Sequence, residues 1–252
     1  MGMETTNRFS NRVENYVKYR PRYPEAAIDY IMRVGNLSRD STIADVGCGT
    51  GFSAEPFAQR GCNVYGLEPN DAMRAAAEEL LVPYPNFHSR NATAEQTGLT
   101  AGAVDAILCA QAFHWFDQTR AQMEFRRIAK PKALLVLMWN ARLTNTPFLA
   151  AYDRLLQTYA TDYNQVNHEN ITDAEIRQFI GHEMQTATFP NEQRFTLEGL
   201  FGRLLSSSYV PTEGQTGHSE LFAGVSNLFQ EHQKEGQVSL LYETRVYSGR
   251  LN

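Results

Sequence analysis

The chain has 252 residues, of which 42% are hydrophobic and 20% charged, and a formal net charge of −5. That is enough apolar content for the core of one α/β domain and too much for a solvated disordered chain. The acidic balance argues against a nucleic-acid or membrane-surface partner, and the longest apolar run, Ala133 to Trp139, is far too short to span a bilayer. No apolar leader is visible at the start, and Cys48, Cys62 and Cys109 form neither a CxxC pair nor a His/Cys cluster with ligand spacing. A cytoplasmic protein without a bound metal or a disulfide frame is expected.

Residues 1–8 are polar and expected to fray. Pro24 to Val34 reads as a helix, with Ile28, Ile31 and Met32 on one face and Gly35 as its stop. Thr42 to Val46 is a short apolar strand that runs into a glycine-rich turn. Ser53 to Arg60 reads as a helix ended by Gly61, and Asn63 to Leu67 as a second strand. Asp71 then caps an alanine-rich helix that stops before Pro83. A third strand is expected around Phe87, a fourth over Val104 to Ala110, a helix over Asp117 to Lys130 and a fifth strand over Ala133 to Trp139. Apolar strands alternating with helices predict a parallel sheet covered on both faces, and right-handed crossovers make it doubly wound.

After Asn140 the rhythm changes. Thr146 and Pro147 open an amphipathic helix with Phe148, Tyr152, Leu155 and Tyr159 on its stripe. Thr172 to Glu175 is a capping box, and Gly181 ends the helix it starts. A helix within Phe195 to Leu205 and an apolar stripe from Leu221 to Phe229 follow. Val238, Leu240, Tyr242, Thr244 and Val246 recur at period two, which reads as a closing strand.

The segment that carries chemistry is Ile43-Ala44-Asp45-Val46-Gly47-Cys48-Gly49-Thr50-Gly51. A strand that runs through glycines into a helix sits where open α/β sheets bind ligands, and the following helix start offers free N–H groups. Glu68 closes the second strand, where a carboxylate can accept both hydroxyls of an adenosine ribose. A dinucleotide fingerprint would need a third glycine where Phe52 stands, and no basic residue is present to meet a pyrophosphate. An adenosyl ligand with an amino-acid tail suits the loop better, with Asp45 toward its ammonium group and backbone N–H groups toward its carboxylate.

These residues resemble the first motif of the class I S-adenosylmethionine-dependent methyltransferases, over about residues 40–140. The resemblance implies a Rossmann-like, doubly wound seven-stranded sheet with an antiparallel last strand, plus a helical lid insertion. It also implies S-adenosylmethionine as cofactor and methyl transfer to a small-molecule acceptor. Asp45, Gly47, Cys48, Gly49, Thr50 and Gly51 would form the loop against that cofactor. Glu68 and Pro69 resemble the ribose-binding acid and its neighbour, and Met73 stands where a side chain packs on adenine. Thr93, Ala94 and Glu95 resemble the segment along the adenine edge, with Thr93 in place of the family's frequent Asp. Ala110 and Gln111 resemble the exit of the fourth strand. The run Gln111-Ala112-Phe113-His114-Trp115-Phe116-Asp117, with Tyr19-Arg20-Pro21 and Tyr23-Pro24, is similar to a type 11 branch that includes trans-aconitate methyltransferase-like proteins.

A single domain over 1–252 is expected: a cofactor core at 36–140, lid or substrate segments at 9–35 and 141–200, and helices and strands at 201–252 completing the sheet. O-methylation of a carboxylate or hydroxyl is favoured. A carboxylate needs no base, whereas a hydroxyl gains about 10²–10⁴-fold from one, and His114 is the candidate. Trp115 either walls the cofactor or packs as core; Arg20 either meets a carboxylate of the cofactor or the substrate or forms a surface ion pair. Tyr152, Tyr159 and Tyr163 either line a pocket or pack. A non-catalytic cofactor-binding regulator and a nicotinamide-dependent oxidoreductase are the alternatives, and the oligomeric state is open between monomer and homodimer.

Overall fold

A computed structural model describes residues 12–161, 163, 171–181 and 183–251. The expected frayed start, 1–8, lies outside those residues. Among them are nine α-helices and seven strands. Helices α1 (Val13–Tyr19) and α2 (Glu25–Gly35) precede β1 (Thr42–Val46), α3 (Glu55–Gln59), β2 (Asn63–Leu67), α4 (Asp71–Leu81) and β3 (Phe87–Arg90). Then come β4 (Val104–Ala110), α5 (Gln118–Ile128) and β5 (Ala129–Arg142). The chain continues through α6 (Pro147–Tyr159), α7 (Asp173–Ile180), β6 (Gln185–Phe195), α8 (Leu197–Leu205), α9 (His218–His232) and β7 (Val238–Arg250). No described helix is long and apolar enough to cross a membrane.

The strands form one sheet in the order β3-β2-β1-β4-β5-β7-β6. Pairs β2–β3, β1–β2, β1–β4 and β4–β5 are parallel, and β7 runs antiparallel to both β5 and β6. The chain reverses direction across the sheet between β1 and β4, which opens a crevice at the carboxyl ends of those strands. The expected fold class is therefore the observed one.

Alternation along the central strands divides the core between the two faces. Ala106, Leu108, Leu134, Val136 and Met138 pack under α2, α3 and α4, against Ile28, Ile31, Phe57 and Leu81. Ile107, Cys109, Leu135, Leu137 and Trp139 pack under α5 and α7, against Phe125, Ile128, Phe179 and Ile180. Each fully buried Leu, Ile or Phe contributes about 1.5–3 kcal/mol. A third cluster lies beyond the sheet's carboxyl edge, where α6, α8 and α9 enclose the first half of β7 through Leu149, Tyr152, Leu200, Leu204, Val225 and Leu240.

Several local expectations shift. Gly35 is the last helical residue and Asn36 (φ 52°) takes the left-handed cap instead, a conformation Asn tolerates. Asn70, not Asp71, caps α4, accepting from the Met73 N–H. The buried face of α6 is Phe148, Leu149, Tyr152 and Leu156, which leaves Leu155 and Tyr159 at its margin. The expected lid segments are corrected in part. From 9–35, α2 belongs to the sheet-covering layer. From 141–200, β6 is a strand of the sheet, paired over eleven register positions with β7. It is an edge strand with little burial on either face and with Pro190 inside it, so its sequence lacks apolar alternation.

Helix α1 lies on α8. Tyr19 sits on bare helix backbone, where a Cβ added to Gly202 would come within 2.0 Å of its ring. Arg12 donates to the carbonyls of Leu205, Ser207 and Val210 in the turn that follows α8.

Candidate active site

A cavity of about 1090 Å³ opens at the carboxyl ends of β1, β4 and β5. Its floor at one end is the loop after β1. Gly47 (φ +70°) must be glycine, because a Cβ there would lie 2.6 Å from that of Ala112. Gly51 (φ +84°) packs α4 closely, 2.7 Å from Leu81 Cδ1 by the same measure. Glu68 reaches across from β2: its Oε2 accepts from Gly49 N at 2.9 Å and its Oε1 from Asn70 N at 2.9 Å. Burial pushes its pKa up, against those two N–H groups and Arg74.

Asp45 is fully buried under this loop. Its Oδ2 accepts from Ser53 Oγ at 2.7 Å. Its Oδ1 and the hydroxyl of Thr50 are buried without a hydrogen-bond partner among the described residues. Burial pushes Asp45 up to about 7, with Ser53 pulling it down and the Glu68 charge adding slightly. A two-oxygen acid and glycine backbone bare to the cavity together fit a ligand with a vicinal diol, and the orphaned Oδ1 of Asp45 is buried behind the loop that such a ligand would cover. Each Glu68 oxygen keeps a lone pair for a hydroxyl.

The structure brings most of the expected residues to this cavity. Gly47, Cys48, Gly49, Thr50, Glu68, Pro69, Met73, Thr93, Ala94, Glu95, Ala110, Gln111, His114, Trp115 and Arg20 all line it. Asp45 and Gly51 do not: they stand behind the loop, Asp45 turned toward Ser53 and Gly51 against α4. Glu95 has a second duty, accepting from Asp117 N at 2.8 Å and so tying its segment to the start of α5. His114 lies in a 3-10 turn over Phe113–Trp115, with its ring 4.6 Å from that of Trp115. Phe52, standing where a dinucleotide loop has glycine, carries the Arg22 guanidinium 4.3 Å above its ring.

Of the residues at the other end of the cavity, the sequence points to Arg20 and Tyr163 alone. Met138 on β5 pairs with Ala110, the last residue of β4, and β5 runs four residues further, to Arg142. At about 3.3 Å per residue, that overhang carries the cavity roughly 13 Å beyond the exit of β4. Arg142 there donates to Asp153 Oδ1 at 2.8 Å and to the Tyr163 hydroxyl at 2.7 Å. Tyr163 donates to the same Oδ1 at 2.6 Å, closing a triangle, and Gln157 holds Oδ2 at 2.7 Å. Arg203, on α8, is 5% exposed and meets only hydroxyls: Tyr242 at 3.3 Å, Ser206 at 3.3 Å and Ser207 at 3.0 Å. Arg20 donates to the Ser206 carbonyl at 3.0 Å.

Arg142 and Arg20 each keep a buried Nε with no partner among the described residues. Burial and the neighbouring Arg203 both pull the Arg20 pKa down, the mark of a cation crowded by a cation. Tyr209 stands among the three guanidiniums. Burial pushes its phenol up, but Arg142, Arg203 and Arg20 outweigh it and bring it down to about 8. Of the tyrosines raised from the sequence, Tyr163 lines the cavity, Tyr152 is core at 2% exposed, and Tyr159 packs half-buried at the margin of the third cluster.

Comparison with known proteins agrees with this geometry. A methyltransferase domain matches residues 44–137. An uncharacterised methyltransferase-like protein of Schizosaccharomyces pombe is 28% identical over 95% of this chain and 94% of its own length. An uncharacterised methyltransferase of Mycobacterium tuberculosis is 34% identical over 53% of this chain, a match that spans about half (52%) of that relative. Among solved structures, one provisionally named a type II methyltransferase, from Anaeromyxobacter dehalogenans, superposes with a TM-score of 0.69 at 24% identity, over 92% of this chain and 98% of the other. With the crevice, the glycine loop and the acid at the end of β2, these likenesses identify residues 44–137 as a methyltransferase domain, in a chain whose fold is that of a solved methyltransferase-like structure.

Proposed function

We propose that this enzyme transfers the methyl group of S-adenosylmethionine to a carboxylate oxygen of a small organic acid. The observation that carries the proposal is the charge at the far end of the cavity: Arg20, Arg142 and Arg203, with Asp153 the one carboxylate lining that end among the described residues. Buried cations short of counter-ions are costly, and a ligand that supplies negative charge relieves the cost.

The residues at the near end fit the cofactor. Glu68 would hold the ribose hydroxyls and Met73 would pack on the adenine. The bare backbone of the Gly47–Gly49 loop, its N–H groups held by the Leu67 carbonyl and Glu68, would lie along the amino-acid tail. When bound, the cofactor supplies a methyl on a cationic sulfur that is already activated for in-line displacement. The guanidiniums orient the acid, and Trp115 and Phe116 keep water from the junction. Holding the two reactants aligned is worth about 7–11 kcal/mol of barrier. An ionised carboxylate brings its own lone pair, so no side chain need remove a proton, and His114 acts as a wall and hydrogen-bonding group rather than a base.

The test is a methyl-transfer screen with labelled S-adenosylmethionine against small acids, phenols and quinones. A methyl ester, released by mild base, is the expected product. Label in base-stable ethers, with none in esters, would overturn the reading.

A further inference from the structure

We propose that Asp153 is a specificity-determining residue: by occupying one guanidinium of the cavity, it sets how much negative charge the acceptor must bring. This inference rests on the carboxylate reading above. Asp153 faces the cavity from α6 and is held rigidly, Oδ1 by Arg142 and Tyr163 and Oδ2 by Gln157. Its side chain is 17% exposed and that of Arg142 10%, so the pair lies where the dielectric is low and a unit charge is felt by its neighbours.

The other two guanidiniums have no such partner. Arg203 is satisfied by hydroxyls alone, and Arg20 by a carbonyl and a hydroxyl. The remaining arginine on this wall, Arg245, has its own counter-ion in Glu243 at 3.4 Å, with both side chains more than a third exposed. Asp153 therefore neutralises one of three interior cations and leaves the balance for the acceptor. The structure gives Arg142 two edges with different duties: Nη2 bound to Asp153, and Nε turned to the buried side without a described partner. Removing the Asp153 charge frees the first edge without moving the second.

The experiment compares acceptors that differ in one charge and little else: linear dicarboxylates from succinate to suberate, each against its monoamide. The readout is the ratio of kcat/KM for diacid over monoamide. Asp153→Asn, which keeps the shape and an acceptor oxygen for Arg142, is expected to raise that ratio about tenfold. Asp153→Glu is expected to restore it. The double change Arg142→Gln with Asp153→Asn removes the pair as a neutral unit and is expected to return the ratio to that of the parent. This double variant also keeps the inference testable if Asp153→Asn alone folds poorly. A ratio within about twofold of the parent in Asp153→Asn, or an equal fall for both acceptors, would overturn the role of Asp153 alone. A parent enzyme that methylates no acid of either series would overturn the carboxylate reading itself.

Discussion

The two ends of the cavity are built in opposite ways. At the cofactor end the grip is set by backbone: glycines at positive φ, and one acid held by the Gly49 and Asn70 N–H groups. At the acceptor end it is long side chains, three arginines and a set of tyrosines, gathered from α1, β5, α6 and α8. The first kind is fixed by local chain geometry and tolerates few substitutions. The second is fixed by packing between distant elements and can change one side chain at a time. The comparison teaches that cofactor affinity and acceptor choice are separable in this enzyme, and four variants test the separation.

The largest effect is expected at Arg203. Arg203→Met should lower kcat/KM for the acceptor by roughly 10²–10³-fold, in the range measured when a buried charge partner is truncated, while the cofactor Kd stays within about threefold. Replacing an under-compensated buried cation by an apolar side chain of similar length is often neutral for folding, so Tm should move by less than about 3 °C. A collapse of Tm would show that the guanidinium serves the fold instead. Glu68→Ala is the mirror image. Loss of two hydrogen bonds to a charged group, about 1.5–3 kcal/mol each, should raise the cofactor Kd about 100-fold or more, read by calorimetry, with acceptor discrimination unchanged.

The third effect is a pH profile. Tyr209, brought down to about 8 by the arginines, becomes an anion above that pH and competes with the acceptor for them. Acceptor binding should therefore take up a proton, and the acceptor KM should rise by up to about tenfold per pH unit above about 8. Tyr209→Phe should flatten the rise, and a rise that persists in that variant would remove Tyr209 from the seat.

The smallest effect concerns Asp45. Its pKa of about 7 lies above the ordinary carboxyl value of about 3.9. The folded form thus keeps a proton that the unfolded chain has lost, and stability falls as pH rises from about 4 through about 7. Asp45→Asn should raise the Tm of the cofactor-free protein by a few degrees, about 2–4 °C per kcal/mol, with more gain at about pH 8 than at about pH 5.5. A pH-independent gain would mean that Asp45 titrates normally.

The contrast between the two ends also explains what was readable from sequence. Gly47 and Gly49 lie in the turn after β1 and Glu68 directly after β2, within one strand–helix–strand unit, so their spacing alone places them together. The same is true of the alternating apolar strands that fix the sheet. Arg142 and Arg203 carry no such signature. One ends a strand and the other sits in an amphipathic helix, and each reads as an ordinary surface cation until β7 folds back antiparallel on β5 and brings α8 over it. The strand β6 escaped for a related reason: its order comes from eleven register positions with β7 rather than from an apolar face of its own. Asp45 shows the limit even within the motif, since spacing placed it near the ligand but did not tell that its side chain turns away to Ser53.

The seat of Tyr19 on the bare backbone of Gly202 has one more consequence. Gly202 precedes Arg203, and Tyr19 precedes Arg20, so one keyed contact aligns a cation on α8 with a cation on the N-terminal segment. Transplanting the acceptor helices of a relative into this scaffold would break that registration unless residues 12–24 travelled with them. The unit of inheritance for substrate choice is thus two stretches far apart in the chain, joined at a single residue that has no side chain to vary.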